Sequence, residues 1–349
     1  MTTLGVFPTI KRSTKLLQLS FHKELNQTLH NIVEGQDFGH LLFYGPTGGG
    51  RRTRIRALLK GIYGDGVSTV KIEKRECAVQ SSSKKISYSI LSSNCHIELT
   101  ASGLGSSDKL IIQNVIKEMA QSKQLNETKQ KSFKVVVIFE AENLSKDAQH
   151  ALRRTMEKYS HNCRIIMCVD CLGRIIDPLK SRCLTIRVPS PTDSEIREAL
   201  CEVVKKDRTA CCIKDEHIEL CVKRGNGNMR RALITLQTLI QQKGENEVVP
   251  QSYIQIVSDI ANIIATRQGK SGILECRKKF CELLERCIDP ATIYRTLVNQ
   301  LTPLISEKLH PIIWDMALES EGRCITGSKP IFSLESFVTQ AMYEIYISK

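Results

Sequence analysis

The sequence predicts an α/β domain with a parallel sheet, followed by a small helical domain and a C-terminal helical bundle. Three observations carry this reading. Short apolar runs of strand length alternate with helix-period segments through the first half. A double-proline break, Pro189 and Pro191 in "VPSPTDSEI", closes that half. Beyond it the periodicity is helical, with no convincing strand.

In chain order, "HLLFY" (His40 to Tyr44) is a short strand that ends in glycines and leads into the helical "RRTRIRALLKGIYG". "HIELT" (His96 to Thr100) alternates as a strand, and "DKLIIQNVIKEMAQS" spaces Leu110, Val115 and Met119 as a helix. "KVVVIF" (Lys134 to Phe139) is apolar throughout, as a strand buried on both faces must be. "SKDAQHALRRTMEKYS" follows as a helix, with Ser145 as its cap and Ala148, Leu152 and Met156 on one face. "RIIMCV" and "LTIRV" supply two more strands. After the prolines, Thr192 and Glu195 have capping-box spacing for "DSEIREALCEVVKK". "NGNMRRALITLQTLIQQ", "GILECRKKFCELLERC" and "ESFVTQAMYEIYI" are further helices. The expected divisions are residues 1–187, 188–245 and 246–349.

At 349 residues, with 41% hydrophobic and 25% charged content, the chain has the totals of a globular protein with more than one core. No apolar run approaches the ~20 residues that span a membrane, so no membrane association is expected. "MTTLGVFPTIKRSTK" lacks the apolar stretch of a secretory signal, which makes a cytosolic or nuclear setting the expectation. Fourteen cysteines in such a chain read as reduced thiols. Structural zinc through Cys168 and Cys171 is the competing reading, but no second pair has matching spacing and no metal site is assigned. The net charge of +13 favours an acidic partner, nucleic acid first, although solvated basic faces alone would produce the same total.

The stretch Gly45-Pro46-Thr47-Gly48-Gly49-Gly50-Arg51-Arg52-Thr53 has the glycine spacing of a phosphate-binding loop, G-x-x-x-x-G-K-[ST], between a strand and a helix. In such a loop the glycines let backbone N–H groups converge on phosphate oxygens at a helix N-terminus. A tight strand-to-helix turn without ligand is the alternative. Arg51 stands at the lysine position and Arg52 at the position of the magnesium-binding hydroxyl. Arginine keeps the charge without the compactness of an ammonium, and it cannot ligate magnesium. The partner strand of these sites ends in Asp-Glu, the aspartate serving the metal and the glutamate polarising water. Here it ends in Phe139-Glu140, so the metal loses its carboxylate. Glu140 keeps the general-base position, or is an ordinary strand-end carboxylate. The pattern is compatible with phosphate binding and departs from what organised hydrolysis requires.

Taken together, these residues and "HLLFYGP", "SKDAQHALRRTMEKY", "CRIIMC", "PLKSRC" and "ALESEGRCITGSKPIFSLESFVTQAM" resemble the small subunits of replication factor C, the sliding-clamp loader of the AAA+ class, in its subunit 3 type. The likeness runs from Phe21 to the end. It implies an AAA+ nucleotide-binding domain over 1–187, a helical lid over 188–245 and an oligomerising collar over 246–349. It also implies a hetero-pentamer with other replication factor C subunits. That assembly opens the proliferating-cell nuclear antigen (PCNA) clamp and loads it at primer-template DNA in the nucleus, using ATP.

The same resemblance assigns roles by residue. Arg182 in Ser181-Arg182-Cys183 becomes an arginine finger that reaches a neighbouring subunit's γ-phosphate. Arg230 in "NMRRAL" becomes the lid arginine that contacts nucleotide, and Arg12 is what survives of the segment that cradles the base. Asp170 falls on the sensor position that an asparagine usually holds. Arg153, rather than its neighbour Arg154, becomes a candidate for coupling between subunits. The expectation is a clamp-loader subunit that binds ATP or ADP without hydrolysing it, makes little use of magnesium, and acts on its neighbour. The competing expectations are a self-sufficient AAA+ motor of helicase type and a scaffold whose nucleotide site and finger are both inert.

Overall fold

The computed structural model describes residues 16, 19, 21–35, 37–78, 85–121, 133–206, 213–241 and 252–347. The chain divides into two compact units, Met1–Asn246 and Glu247–Lys349.

The first unit is a seven-stranded sheet with helices on both faces. In chain order it contains α1 (Lys23–Glu34), β1 (His40–Tyr44), α2 (Arg51–Tyr63), β2 (Lys71–Ala78), β3 (Lys85–Ser92) and β4 (His96–Thr100). There follow α3 (Asp108–Gln121), β5 (Lys134–Phe139), α4 (Lys146–Lys158), β6 (Cys163–Val169), α5 (Asp177–Lys180) and β7 (Cys183–Arg187). Three helices close the unit: α6 (Asp193–Lys206), α7 (Asp215–Gly225) and α8 (Met229–Gln241).

The strand order is β2-β3-β4-β5-β6-β1-β7. β4, β5, β6, β1 and β7 are parallel, as their apolar runs predict, while β2 and β3 form an antiparallel pair added at the β4 edge. The antiparallel pair departs from the parallel sheet that the sequence predicts. "KIEKRECA" and "KISYSILS" interleave charged and polar residues with apolar ones, as an edge ribbon can.

Period-two alternation assigns the strand side chains to two cores. Val136 and Ile138 of β5 join Ile112 and Val115 of α3 and Leu152 of α4 on one face. Val135, Val137 and Phe139 join Leu29 of α1 and Leu58 of α2 on the other. Phe139 therefore faces the phosphate-loop helix. The capping expectations hold in detail. Ser145 accepts from the Ala148 N–H at 3.1 Å, with Ala148, Leu152 and Met156 all buried. The Thr192 N–H donates to Glu195 at 2.9 Å, and the Glu195 N–H returns to the Thr192 hydroxyl at 3.4 Å.

One buried ion pair makes a pH prediction. Glu98 of β4 is buried and receives both Nε (3.2 Å) and Nη2 (2.8 Å) of Arg56 from α2. Burial pushes its carboxyl up, but the His96 ring 3.7 Å away and the Arg56 fork outweigh that and hold it at about 2. The folded-state value lies below the unfolded one, so the unfolded chain binds the extra proton between them. Stability from this group is present above the ordinary glutamate range and is lost as pH falls toward about 2. Its size is about 3 kcal/mol. Glu98→Gln is expected to flatten the acid limb of unfolding, followed by circular dichroism against pH; an unchanged limb would remove this pair from the account.

The second unit is helical throughout its described residues: α9 (Ser252–Thr266), α10 (Lys270–Glu285), α11 (Pro290–Leu301), α12 (His310–Thr326) and α13 (Pro330–Ile347). Its core is built on Ile260, Phe280, Leu297 and Met342, with Tyr294 edge-on to Phe337 at 5.7 Å. Its surface also exposes Leu318, Ile325, Phe332, Tyr343, Tyr346 and Ile347.

Candidate functional site

The glycine loop lies where the motif requires, between the end of β1 and the first turn of α2. Two glycines show why other residues are excluded. A Cβ on Gly45 (φ +146°) would come within 1.9 Å of the Val188 carbonyl oxygen, and Val188 is itself tied to the Tyr44 carbonyl at 2.8 Å. A Cβ on Gly48 (φ +81°) would come within 2.0 Å of the Asn228 side-chain oxygen. Asn228 also accepts from the Arg231 N–H at 3.2 Å, so the residue that caps α8 covers the loop. Ser190 adds a 2.6 Å bond to the Gly227 carbonyl in the same turn. Pro46 and Thr47 are exposed, the Pro46 carbonyl accepts from the Gly49 N–H at 3.4 Å, and Thr53 is half-buried on α2.

Directly after the loop, two arginines meet two carboxylates. Arg51 is buried and donates to the Val169 carbonyl and the Asp170 carboxylate at the end of β6. Arg52 donates to Glu140 at 2.6 Å, and its guanidinium lies 4.7 Å from the centroid of the Phe139 ring. The other Glu140 oxygen accepts from the Ser102 hydroxyl at 2.7 Å. Glu140 adopts φ +56°, which turns it out of the strand line. Glu142 accepts from the Asp170 N–H at 3.3 Å, and its second oxygen is buried with no hydrogen-bond partner among the described residues.

The four departures from the standard site pattern therefore form two interlocked pairs, Arg51 with Asp170 and Arg52 with Phe139, and Arg52 is bonded as well to the retained Glu140. Each arginine settles a charge or a ring face that its partner position introduces. The side chains do not fit magnesium: the hydroxyl and carboxylate positions hold a guanidinium and a phenyl ring. No group of three or more His, Cys, Asp or Glu among the described residues could hold a metal. Cys168 is buried in β6, its thiol pushed up to about 11 by burial, while Cys171 is exposed.

Beneath the loop lies a residue that belongs to no motif. Arg54 is fully buried and donates to the Gly49 carbonyl (3.0 Å), the Phe21 carbonyl (3.0 Å) and Asn26 Oδ1 (3.1 Å). It also stacks on Phe21 at 4.6 Å and lies 3.2 Å from His22 Nδ1. Burial pushes its guanidinium down to about 10, partly offset by the charge of Glu195. Glu195 accepts from the His22 N–H at 3.0 Å, and thereby ties the helix after the double proline to the segment before α1. The available signal was spacing: Arg54 is one helical turn from Arg51 and beside the buried Ile55 and Leu58.

The remaining candidates are spread over the unit. Arg182 lies in the turn between α5 and β7, about one-third exposed. Its Nε and Nη2 both reach Glu157 Oε1 of α4, at 2.7 Å and 2.6 Å, and its Nη1 donates to the Pro178 carbonyl at 2.9 Å. Arg230 is exposed in the first turn of α8. Arg153 is half-buried with its Nε sealed and unbonded among the described residues, while Arg154 is exposed. Arg12 lies outside the described residues.

Residues 253–349 match the replication factor C subunit 3, C-terminal domain, and residues 21–192 match the DNA polymerase III, delta subunit family. Replication factor C subunit 3 of Mus musculus is 38% identical over 335 residues, covering 95% of this chain and 93% of that protein. Replication factor C subunit 5 of Neurospora crassa is 38% identical over 342 residues, covering 96% of each. Among solved structures, a variant of Thermotoga maritima RuvB aligns with 72% of this chain and 80% of its own, at 15% identity and a TM-score of 0.48.

Proposed function

The chain belongs to the replication factor C subunit family, and from that membership we propose that it is a small subunit of a sliding-clamp loader. Its fold is that of the family, an AAA+ phosphate-loop unit followed by a helical C-terminal domain. In this reading residues 1–187 bind nucleotide, 188–245 form the lid and 246–349 form the collar that joins five subunits. The assembly opens PCNA and loads it at primer-template junctions in the nucleus. The exposed apolar side chains of the second unit, Phe332 and Tyr346 among them, support a collar that is covered by other subunits.

The share of this chain is to hold nucleotide and to act on its neighbour. The observation that carries this is the closed set of charges beside the glycine loop. Arg51 is spent on Asp170 and Val169, and both Glu140 oxygens are occupied by Arg52 and Ser102. A general base needs a free oxygen facing the attacking water, and the position after Gly50 needs an uncommitted cation for the β- and γ-phosphates. Both Glu140 oxygens are engaged, and the cation at that position, Arg51, is paired with Asp170. Arg182 keeps its charge at the surface, oriented by Glu157 and Pro178, and can supply a guanidinium to the γ-phosphate of the adjoining subunit. Gly45, Pro46, Thr47, Gly48, Gly49, Gly50 and Thr53 would line the phosphates here, with Arg230 and Arg12 reaching from the lid and the N-terminal segment.

Two measurements test the reading together. The expressed chain is expected to co-purify with other replication factor C subunits, and alone it is expected to show no magnesium-dependent ATP turnover. Turnover by the isolated chain would restore the self-sufficient motor.

A further inference from the structure

We infer that the phosphate loop of this chain holds its nucleotide without a divalent cation, because the Arg52 guanidinium takes the cation's position. The inference rests on the reading that the loop binds nucleotide, and it adds the ion requirement of that binding.

In a phosphate-loop site the divalent ion is fixed by three things: the hydroxyl after the loop lysine, the carboxylate at the end of the facing strand, and the phosphates. The first two correspond here to Arg52 and Phe139. The structure brings those positions together, with the Arg52 guanidinium 4.7 Å from the Phe139 ring centroid and 2.6 Å from Glu140. A phenyl face offers no ligand oxygen to a metal, but it attracts a guanidinium through its quadrupole. A guanidinium has no lone pair to give a metal, and its charge repels one. The substitutions are therefore mutually consistent: each removes a ligand for the ion, and together they seat a fixed cation.

Most oxygens of the nearby carboxylates are engaged within the protein. Asp170 is paired with Arg51, Glu140 is bonded to Arg52 and Ser102, and the one unbonded Glu142 oxygen is sealed from solvent. Arg51 and Arg52 are not equivalent in what they can still offer. Arg51 is buried, with Nη1 on the Val169 carbonyl and Nη2 on Asp170. Arg52 is about two-fifths exposed and makes its one side-chain hydrogen bond among the described residues through Nη2. Its Nε and Nη1 are free to donate to phosphate oxygens, which guanidinium groups bind well. The ligand class is a nucleoside polyphosphate taken up as the free anion.

The test is titration of the purified full chain with ADP, followed by calorimetry, in excess magnesium and in excess EDTA. The affinity is expected to change by no more than about twofold between the two conditions. Arg52→Gln is expected to weaken binding about tenfold in both. The paired change Arg52→Ser with Phe139→Asp is expected to make binding magnesium-dependent. Binding of ADP by the unaltered chain that falls about tenfold or more in EDTA would overturn the inference and leave the nucleotide-holding role standing. No binding of ADP in either condition would overturn that role and the inference with it. Because the deciding comparison uses the unaltered chain, misfolding of a variant cannot blur it.

Discussion

Arg182→Ala is expected to arrest hydrolysis at the adjoining site of the assembled complex while leaving ATP binding there intact. A guanidinium supplied in trans contributes roughly 10³–10⁵ to phosphoryl transfer, because it stabilises charge that develops on the transferring group. The loss should therefore appear in kcat, with the dissociation constant for ATP little changed. The geometry also predicts a poor rescue by lysine. Arg182 is oriented by three contacts, two on Glu157 Oε1 and one on the Pro178 carbonyl, that depend on a planar fork. Arg182→Lys keeps the charge but cannot make that set. The measurement is DNA- and clamp-stimulated ATPase of complexes that differ only in this chain. A full rate with Arg182→Ala would leave the scaffold reading in possession.

Arg54→Ala is expected to destabilise the first unit by about 3–5 kcal/mol, because each buried acceptor left without its donor costs roughly 1–3 kcal/mol. The side chain is fully buried, so the acceptors it leaves lie in the interior. The Gly49 carbonyl would lose its 3.0 Å donor and Asn26 Oδ1 its 3.1 Å donor. Phe21 would lose both a donor to its carbonyl and the cation over its ring. A cavity of side-chain size would add to these losses. Arg54→Met fills much of that volume and still strands the acceptors, so its cost should be smaller but not small. Urea unfolding of the purified chains gives both values. Because Arg54 joins the loop carbonyl of Gly49 to the segment before α1, the alanine variant should also lose ADP binding. If it unfolds like the unaltered chain, the buried network is not what supports the loop.

Much of the fold could be read along the sequence because its signals are local. The apolar run Lys134–Phe139, the Ser145 cap with Ala148, Leu152 and Met156, and the Thr192–Glu195 box each involve neighbours on one element. The structure repeats them with little change. The hairpin of β2 and β3 lacked a comparable signal, since an edge ribbon with polar faces reads as a loop until its partner strand is known.

The site divided in the same way. Each altered position was visible by itself, because a motif assigns every residue a chemical duty that can be checked. The pairings were not visible. Arg52 and Glu140 are 88 residues apart and Arg51 and Asp170 are 119 apart, and only the parallel order of β1, β5 and β6 brings them together. Asp170 is the instructive case. Read alone, it repels a γ-phosphate; in the fold it is the counter-charge of Arg51. Arg54 was hidden for another reason: it belongs to no motif, and its duty is to hold the loop from beneath.

The central claim is a division of labour, in which this chain keeps a nucleotide and its neighbour cleaves one. Single-turnover release of γ-phosphate from the reconstituted complex, started by clamp and primer-template DNA, tests it most directly. The account predicts that the complex carrying Arg182→Ala releases one phosphate fewer per complex than the unaltered one. A burst of undiminished size would contradict it.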